Sequence, residues 1–389
     1  MKLIHTADIH LDTSYAWAAR PGVLHEPGFG KRRRQDLRTV FRDMMQRAAE
    51  WPADAVLIAG DLFDLDRLQW DTVTCLREVF DLVRPIPVFI APGESDPCTA
   101  ESPYVCESWP PNVHIFRSPV WSTVALPELN AVVHGMGFDN ASPSRNPLAE
   151  GIPMERGEAL HVAVAHGAEL GHLAPGAPEV MPFHAKNMDR AGLAYVALGH
   201  YHEITPIMGL EHTAMGYPGS PEGHGFEAPG THYFLEVEVA PGGTPTITPV
   251  PSSRTLYACH TLDAPALGAP ADLSERAESL AGNESSRALQ VTLTGHAPGP
   301  IDMGTSAAAW GVELLEILDR TDDGEELNAL ARQSTSLGAF AERMARELAD
   351  APDEARRRAL RRTRDAGIAA YRGETLPLPG GESRGSAGE

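Results

Sequence analysis

The feature that most constrains this chain is a set of short, unbroken apolar runs that each stop on polar residues. AVLIAGD reaches Gly60-Asp61, IPVFIAPGESD reaches Gly93 to Asp96, LHVAVAH reaches His166, and LAYVALGHYH reaches Gly199 to His202. A fifth run, KLIHTA over residues 2–7, stops on Asp8-Ile9-His10. Runs without alternation read as strands buried on both faces. Between them lie segments of helical period. Leu37, Val40, Phe41, Met44 and Ala48 share one face over 31–50, and Val73, Leu76, Phe80 and Val83 share one over 69–83. The start of the first helix, Lys31 to Arg34, is basic and is expected to be solvated. Four such residues oppose the helix dipole, which favours a loop there or a functional use. NVHIF (112–116) and NAVVHGM (130–136) add strands. The alternation is that of an α/β protein with sheets covered on both faces.

Near residue 240 the character changes. APGGTPTITPVPSS reads as an edge strand or linker, and ALQVTLTG (288–295) as a strand. Helices are expected over 306–319, 325–333, 336–349 and 353–371. The last carries six arginines between Arg356 and Arg364. That cluster is either a solvated face balanced by Glu347, Asp350, Asp353 and Glu354, or a contact for DNA phosphates or a partner.

The 389 residues carry 32 Lys and Arg against 53 Asp and Glu, a net charge of −21. This excludes a protein that holds nucleic acid by its overall field. No run approaches the ~18 apolar residues of a membrane span. MKLIHTADIH lacks the apolar core of a signal peptide. The four cysteines form no CxxC pair, so free thiols and a cytoplasmic location are expected.

Polar clusters at five strand ends converge on one crevice if the strands share a sheet edge. They supply seven candidate ligands for divalent metal: Asp8, His10, Asp61, Glu94, His166, His200 and His202. Seven ligands with one bridging carboxylate suit two ions, which can clamp both oxygens of a phosphoryl displacement. Mixed histidine and carboxylate ligation suits manganese, iron or zinc better than calcium.

The order DxH (Asp8, His10), GD (Gly60-Asp61), a GNHD-like element, a later His166 and GHxH (His200, His202) resembles the signature of calcineurin-like metallophosphoesterases. HTADIHLD, VLIAGDLFD, ALGHYH and GYPGSPEGHGFE are similar to the SbcD-like DNA repair nuclease branch, most of all its YhaO-type members. The resemblance implies a sandwich of two mixed sheets flanked by helices, with a small α+β capping domain and C-terminal helices. It divides the chain into a nuclease domain over 1–245, a capping domain over 250–325, a helical partner-docking segment over 326–372 and a disordered tail over 373–389. It implies that Asp8, His10, Asp61 and His202 hold one ion while Asp61, Glu94, His166 and His200 hold the other. It further implies DNA exonuclease or endonuclease activity, manganese above iron or zinc, an SbcC-like coiled-coil ATPase as partner, and often a homodimer.

One departure matters. Where the family has GNHD, this chain has Gly93-Glu94-Ser95-Asp96. Asp61, Ser95 and Asp96 occupy the positions that the resemblance implies are catalytic. Ser95 replaces a histidine, and a serine hydroxyl is no acid near neutral pH, where such help is worth ~10²–10⁴ in rate. The expectation is a slower enzyme, or one whose leaving group needs little protonation. The alternatives are a phosphoesterase for a small substrate or nucleotide, or a metal-binding scaffold that scarcely reacts.

Overall fold

In the computed structural model, residues 1–139, 146–154, 159–174, 176–240, 244–263, 287–296, 307–322, 325–351 and 354–372 are described. The expected tail over 373–389 lies outside them. The chain divides into two compact units, one built on Met1–Cys259 and one holding most of the chain from Glu316 onward.

The first unit begins with β1 (Lys2–Thr6), β2 (Val23–His25), α1 (Phe29–Glu50), β3 (Ala55–Ile58), α2 (Trp70–Leu82), β4 (Val88–Ile90) and β5 (Val113–Ile115). It continues through β6 (Ser122–Leu126), β7 (Ala131–Gly135), β8 (Leu160–His166), β9 (Leu193–Gly199), β10 (Thr205–Ile207), β11 (Ala214–Tyr217), β12 (Tyr233–Glu238) and β13 (Thr246–Pro251). All of these strands but β2 make two six-stranded sheets, ordered β13-β12-β1-β3-β4-β5 and β10-β11-β9-β8-β7-β6. Both are mixed. β1, β3, β4 and β5 run parallel, with β12 antiparallel to β1. β7, β8, β9 and β11 run parallel, with β6 and β10 antiparallel at the edges.

Side chains alternate across each strand. Ala55 and Leu57 point into a core shared with Val162, Val164, Tyr195 and Leu235, so this core fills the space between the sheets. Val56 and Ile58 point the other way, onto Leu37, Phe41, Met44, Leu76 and Phe80 of α1 and α2. On the outer side of the second sheet, Ala163, Ala165 and Leu198 pack with Leu148, Ile152, Phe183 and Met188. Every central strand is thus apolar on both faces, which is why its sequence shows no alternation.

Two expectations are corrected. The stretch 306–319 is not a helix: Ala307–Trp310 makes a short 3-10 turn and Leu314–Asp322 is a strand. Gly311 lies between them at φ 63°, in the left-handed region that glycine enters without cost, and so ends the turn. The basic start of α1 is helical from Phe29, and it is not uniformly solvated. Arg33 is 2% exposed and pairs with Asp36 at 2.6 Å and Glu313 at 3.3 Å. The other C-terminal helices, Glu325–Ala331, Ser336–Ala349 and Glu354–Arg372, fall where their periodicity places them. Cys98 and Cys106 remain separate thiols. Among the described residues no helix is long and apolar enough to cross a membrane.

Candidate metal centre

β1, β3 and β4 are parallel neighbours, so their carboxyl ends share one edge of the first sheet, and β8 and β9 do the same in the second. Each strand stops where its polar cluster begins. Backbone bonds tie the turns together: the Asp8 amide donates to the Gly60 carbonyl at 3.0 Å, and His10 to Asp61 at 2.9 Å. Across the two sheets, the His200 amide donates to Asp8 Oδ2 at 3.0 Å.

Four of the seven candidate ligands lie at positive φ: Asp8 at 53°, His10 at 48°, Asp61 at 52° and His200 at 134°. Non-glycine residues in this region cost about 1–3 kcal/mol each and persist only where the surroundings over-determine them. The glycines beside them do a different job. Gly60, at φ 87°, lies against the His166 ring, and Gly93 against the Asp61 carboxylate, so that a Cβ at either position would overlap the ligand. Both allow backbone to approach side chain closely.

All seven side chains come together. Asp8, His10 and His202 form one group whose candidate ligand atoms lie within 4.8 Å of one another; Glu94, His166 and His200 form a second; Asp8, Asp61 and His166 link them. Asp61 faces both ways, with Oδ2 3.5 Å from His10 Nε2 and Oδ1 3.9 Å from His166 Nε2. On the other side of His166, Glu94 Oε2 lies 2.5 Å from Nε2, and Glu94 Oε1 lies 3.0 Å from His200 Nδ1.

Partners behind the histidines fix which nitrogen points inward. His166 Nδ1 lies 2.8 Å from the Ala59 carbonyl, which can only accept, so that nitrogen carries the proton. His10 Nδ1 lies 2.8 Å from Asp64 Oδ1. This is the support that metal-ligating histidines commonly receive. It leaves His10 Nε2 and Asp8 Oδ1 buried without hydrogen-bond partners, and His166 Nε2 and Glu94 Oε2 with only each other. Electron-rich nitrogen and oxygen atoms gathered this closely, and unsatisfied, fit divalent cations of the manganese, iron or zinc type.

The charges strain one another. Burial pushes Asp8 up to about 7, against the pull of His166. Burial would lower His10, but the Asp64 hydrogen bond and the nearby carboxylates outweigh it and hold His10 at about 9. For Glu94, burial is overcome by His166 and His200, which hold it below the usual carboxylate range. Burial, reinforced by His10 and His200, pushes His202 down to about 3.

Asp96 and Ser95 are placed differently from the candidate ligands. Asp96 is buried, and accepts from the Asp61 and Gly93 amides on Oδ1 and from the Leu62 amide and Tyr104 hydroxyl on Oδ2, at 2.6–3.0 Å. It fixes the Asp61 and Gly93 turns. Ser95 lines the cleft, yet its amide and hydroxyl both donate to Asp61 at 2.9 Å. Three neighbours escaped sequence reasoning. Asp64, three residues after Asp61 in VLIAGDLFD, orients His10. Tyr104 carried no signal. His224, from GYPGSPEGHGFE, packs its ring 5.3 Å from His10 and 5.7 Å from His202.

The site opens into a cleft of about 650 Å³. The fold and this double cluster define a metal-dependent phosphoesterase, and the family model for calcineurin-like phosphoesterases matches residues 1–203, so the chain belongs to that family. Among curated relatives, it is 28% identical over 255 residues to the uncharacterized metallophosphoesterase YhaO of Bacillus subtilis, covering 62% of this chain and 58% of that one. It is 29% identical over 233 residues to the DNA double-strand break repair protein Mre11 of Aeropyrum pernix, covering 56% and 53%. The chain spans just over half the length of these relatives.

Proposed function

We propose that this chain is a two-metal phosphodiester hydrolase acting on DNA, the nuclease subunit of a cytoplasmic repair complex. The observation that carries the reading is Asp61, a single buried carboxylate whose two oxygens face separate histidine groups. Asp8, His10, Asp61 and His202 would hold one ion, and Asp61, Glu94, His166 and His200 the other, with manganese the best match. Two divalent ions held there would supply Lewis-acid polarisation of a phosphoryl group and a water acidic enough to react near neutral pH. The chain's own residues do the rest. Asp64 and the Ala59 carbonyl orient His10 and His166, Asp96 fixes the Asp61 turn, and Ser95 holds the Asp61 carboxylate in place. Ser95 supplies no acid, so proton delivery to the leaving oxygen is weak and turnover slow.

The DNA reading draws on the Mre11 relative. An SbcC-like ATPase as partner, and a homodimer, belong to the same proposal. A second reading, a phosphoesterase for small esters, is favoured by charge. Outside Glu94 and the histidines of the metal centre, the described residues lining the cleft set Asp64, Asp66 and Glu227 against one basic side chain, Arg67. The test incubates the full chain and manganese with linear DNA and with bis(p-nitrophenyl) phosphate, with and without the ATPase, a chelator and Asp61→Asn. DNA degradation that needs metal and Asp61 is expected. Turnover of the small diester with intact DNA, even beside the ATPase, replaces the first reading by the second. No turnover of either substrate at full metal occupancy overturns both and leaves a scaffold.

A further inference from the structure

The cleft is lined in part by an aromatic side chain that the hydrolytic chemistry does not use. Trp17 lines the cleft and is half-buried. Its indole N–H donates to the His224 carbonyl at 3.1 Å. Its ring is braced by Phe226 at 5.7 Å between centroids and by Phe29 at 6.5 Å, both in edge-type contacts at 67° and 78°. Tyr257 adds a tilted contact at 6.4 Å. Exposed Arg20 folds back, its Nε donating to the Trp17 carbonyl at 3.0 Å and its guanidinium 5.8 Å from the ring centre. Trp17 is fixed in orientation and left partly open beside the metal centre, which is the condition for binding a flat partner at low entropic cost.

The chemistry of the remaining wall says what that partner is. Beyond the metal centre and its histidines, the described lining sets Asp64, Asp66 and Glu227 against Arg67, so the cleft offers charge to the phosphate at the metals and little to further phosphates. Recognition beyond that phosphate must come from uncharged surface. A cleft of about 650 Å³ takes one nucleotide-sized ligand. Nucleobases stack on aromatic side chains whatever their sequence, because each has a π-face.

We infer that Trp17 is the specificity-determining residue of the cleft: it stacks on the nucleobase of the ester whose phosphate reaches the metal centre, and so selects nucleotide units over phosphate esters of plain sugars. This rests on the phosphoesterase reading above but is tested apart from it. Equilibrium dialysis of the manganese-loaded protein against adenosine 5′-monophosphate and ribose 5-phosphate compares two ligands that differ by the base. Stacking of this kind predicts a preference for the nucleotide of roughly 5- to 100-fold. Trp17→Ala should erase the preference while ribose 5-phosphate binding is unchanged, and Trp17→Phe should keep most of it. Quenching of tryptophan emission by the nucleotide should disappear in Trp17→Phe. Equal binding of the two ligands by the wild type, binding of neither at measured metal occupancy, or a preference that survives in Trp17→Ala overturns the inference. The wild-type comparison needs no variant to fold. If the preference is present but phosphodiesters stay intact, the hydrolase proposal fails alone. If diesters are cleaved without it, this inference fails alone.

Discussion

His5 offers a measurable link between fold and pH. It sits on β1 of the first sheet, fully buried, and reaches into the second sheet: Nε2 lies 3.1 Å from the Leu198 carbonyl and Nδ1 2.7 Å from the Tyr195 hydroxyl. A carbonyl only accepts, so Nε2 carries the proton and Nδ1 accepts from tyrosine. The neutral ring is fully satisfied. Burial pushes its pKa down to about 3 from 6.5. The folded state therefore prefers the neutral form more than the unfolded chain does. That contribution is complete above pH 6.5 and is lost as pH falls toward 3. One pKa unit corresponds to about 1.4 kcal/mol, and integration from pH 8 to pH 5 gives a loss of about 2 kcal/mol from this residue alone. The assay is denaturant unfolding of metal-stripped wild type and His5→Gln at pH 5 to 8. Other buried histidines steepen both curves equally, so the difference between the two proteins isolates His5. That difference should shrink by about 2 kcal/mol toward pH 5. A difference that stays constant within about 0.5 kcal/mol would refute the assignment of a neutral, doubly satisfied ring.

Asp96→Ala removes one carboxylate and leaves three amides and a tyrosine hydroxyl without their acceptor. At about 1–3 kcal/mol for each orphaned group, it should unfold the protein or lower its melting point sharply in calorimetry. Gly93→Ala places a methyl group on the Asp61 carboxylate; manganese binding, followed by isothermal calorimetry, should weaken at least tenfold while the circular dichroism stays native. Ser95→Ala keeps the amide donation to Asp61 and loses only the hydroxyl bond to its carboxylate, so hydrolysis of bis(p-nitrophenyl) phosphate should fall by about 10- to 100-fold, as a loss of about 1.5–3 kcal/mol predicts.

The strands and their polar ends were readable because double-sided burial writes unbroken apolar runs, and the runs stop where the sheet edge does. Asp61 and Glu94 could be found by that rule alone. What could not be read depends on contacts between distant segments. Tyr104 supports Asp96 through a buried hydroxyl, and nothing in its surroundings along the chain marks it. Arg33 looked like one of four solvated cations, and its burial became visible only with Glu313 beside it. The segment 306–319 has helix-forming composition, but Gly311 and the pairing of the strand beyond it override propensity. Asp64 sits in VLIAGDLFD, three residues from Asp61, but its role depends on which nitrogen of His10 faces it.

The left-handed turns at Asp8, His10, Asp61 and His200 also set an order of events in the life of the molecule. None of these conformations is favourable in a free chain, and the bonds that hold them join residues as far apart as Asp8 and His200. A nascent or half-folded chain therefore presents scattered histidines and carboxylates, not a preformed chelate. Metal has no high-affinity place to land until both sheets have docked. In contrast to a zinc finger, whose ion organises the polypeptide, this protein must finish folding first and be loaded afterwards, so metal starvation should yield an intact, inactive apoprotein that added divalent metal revives.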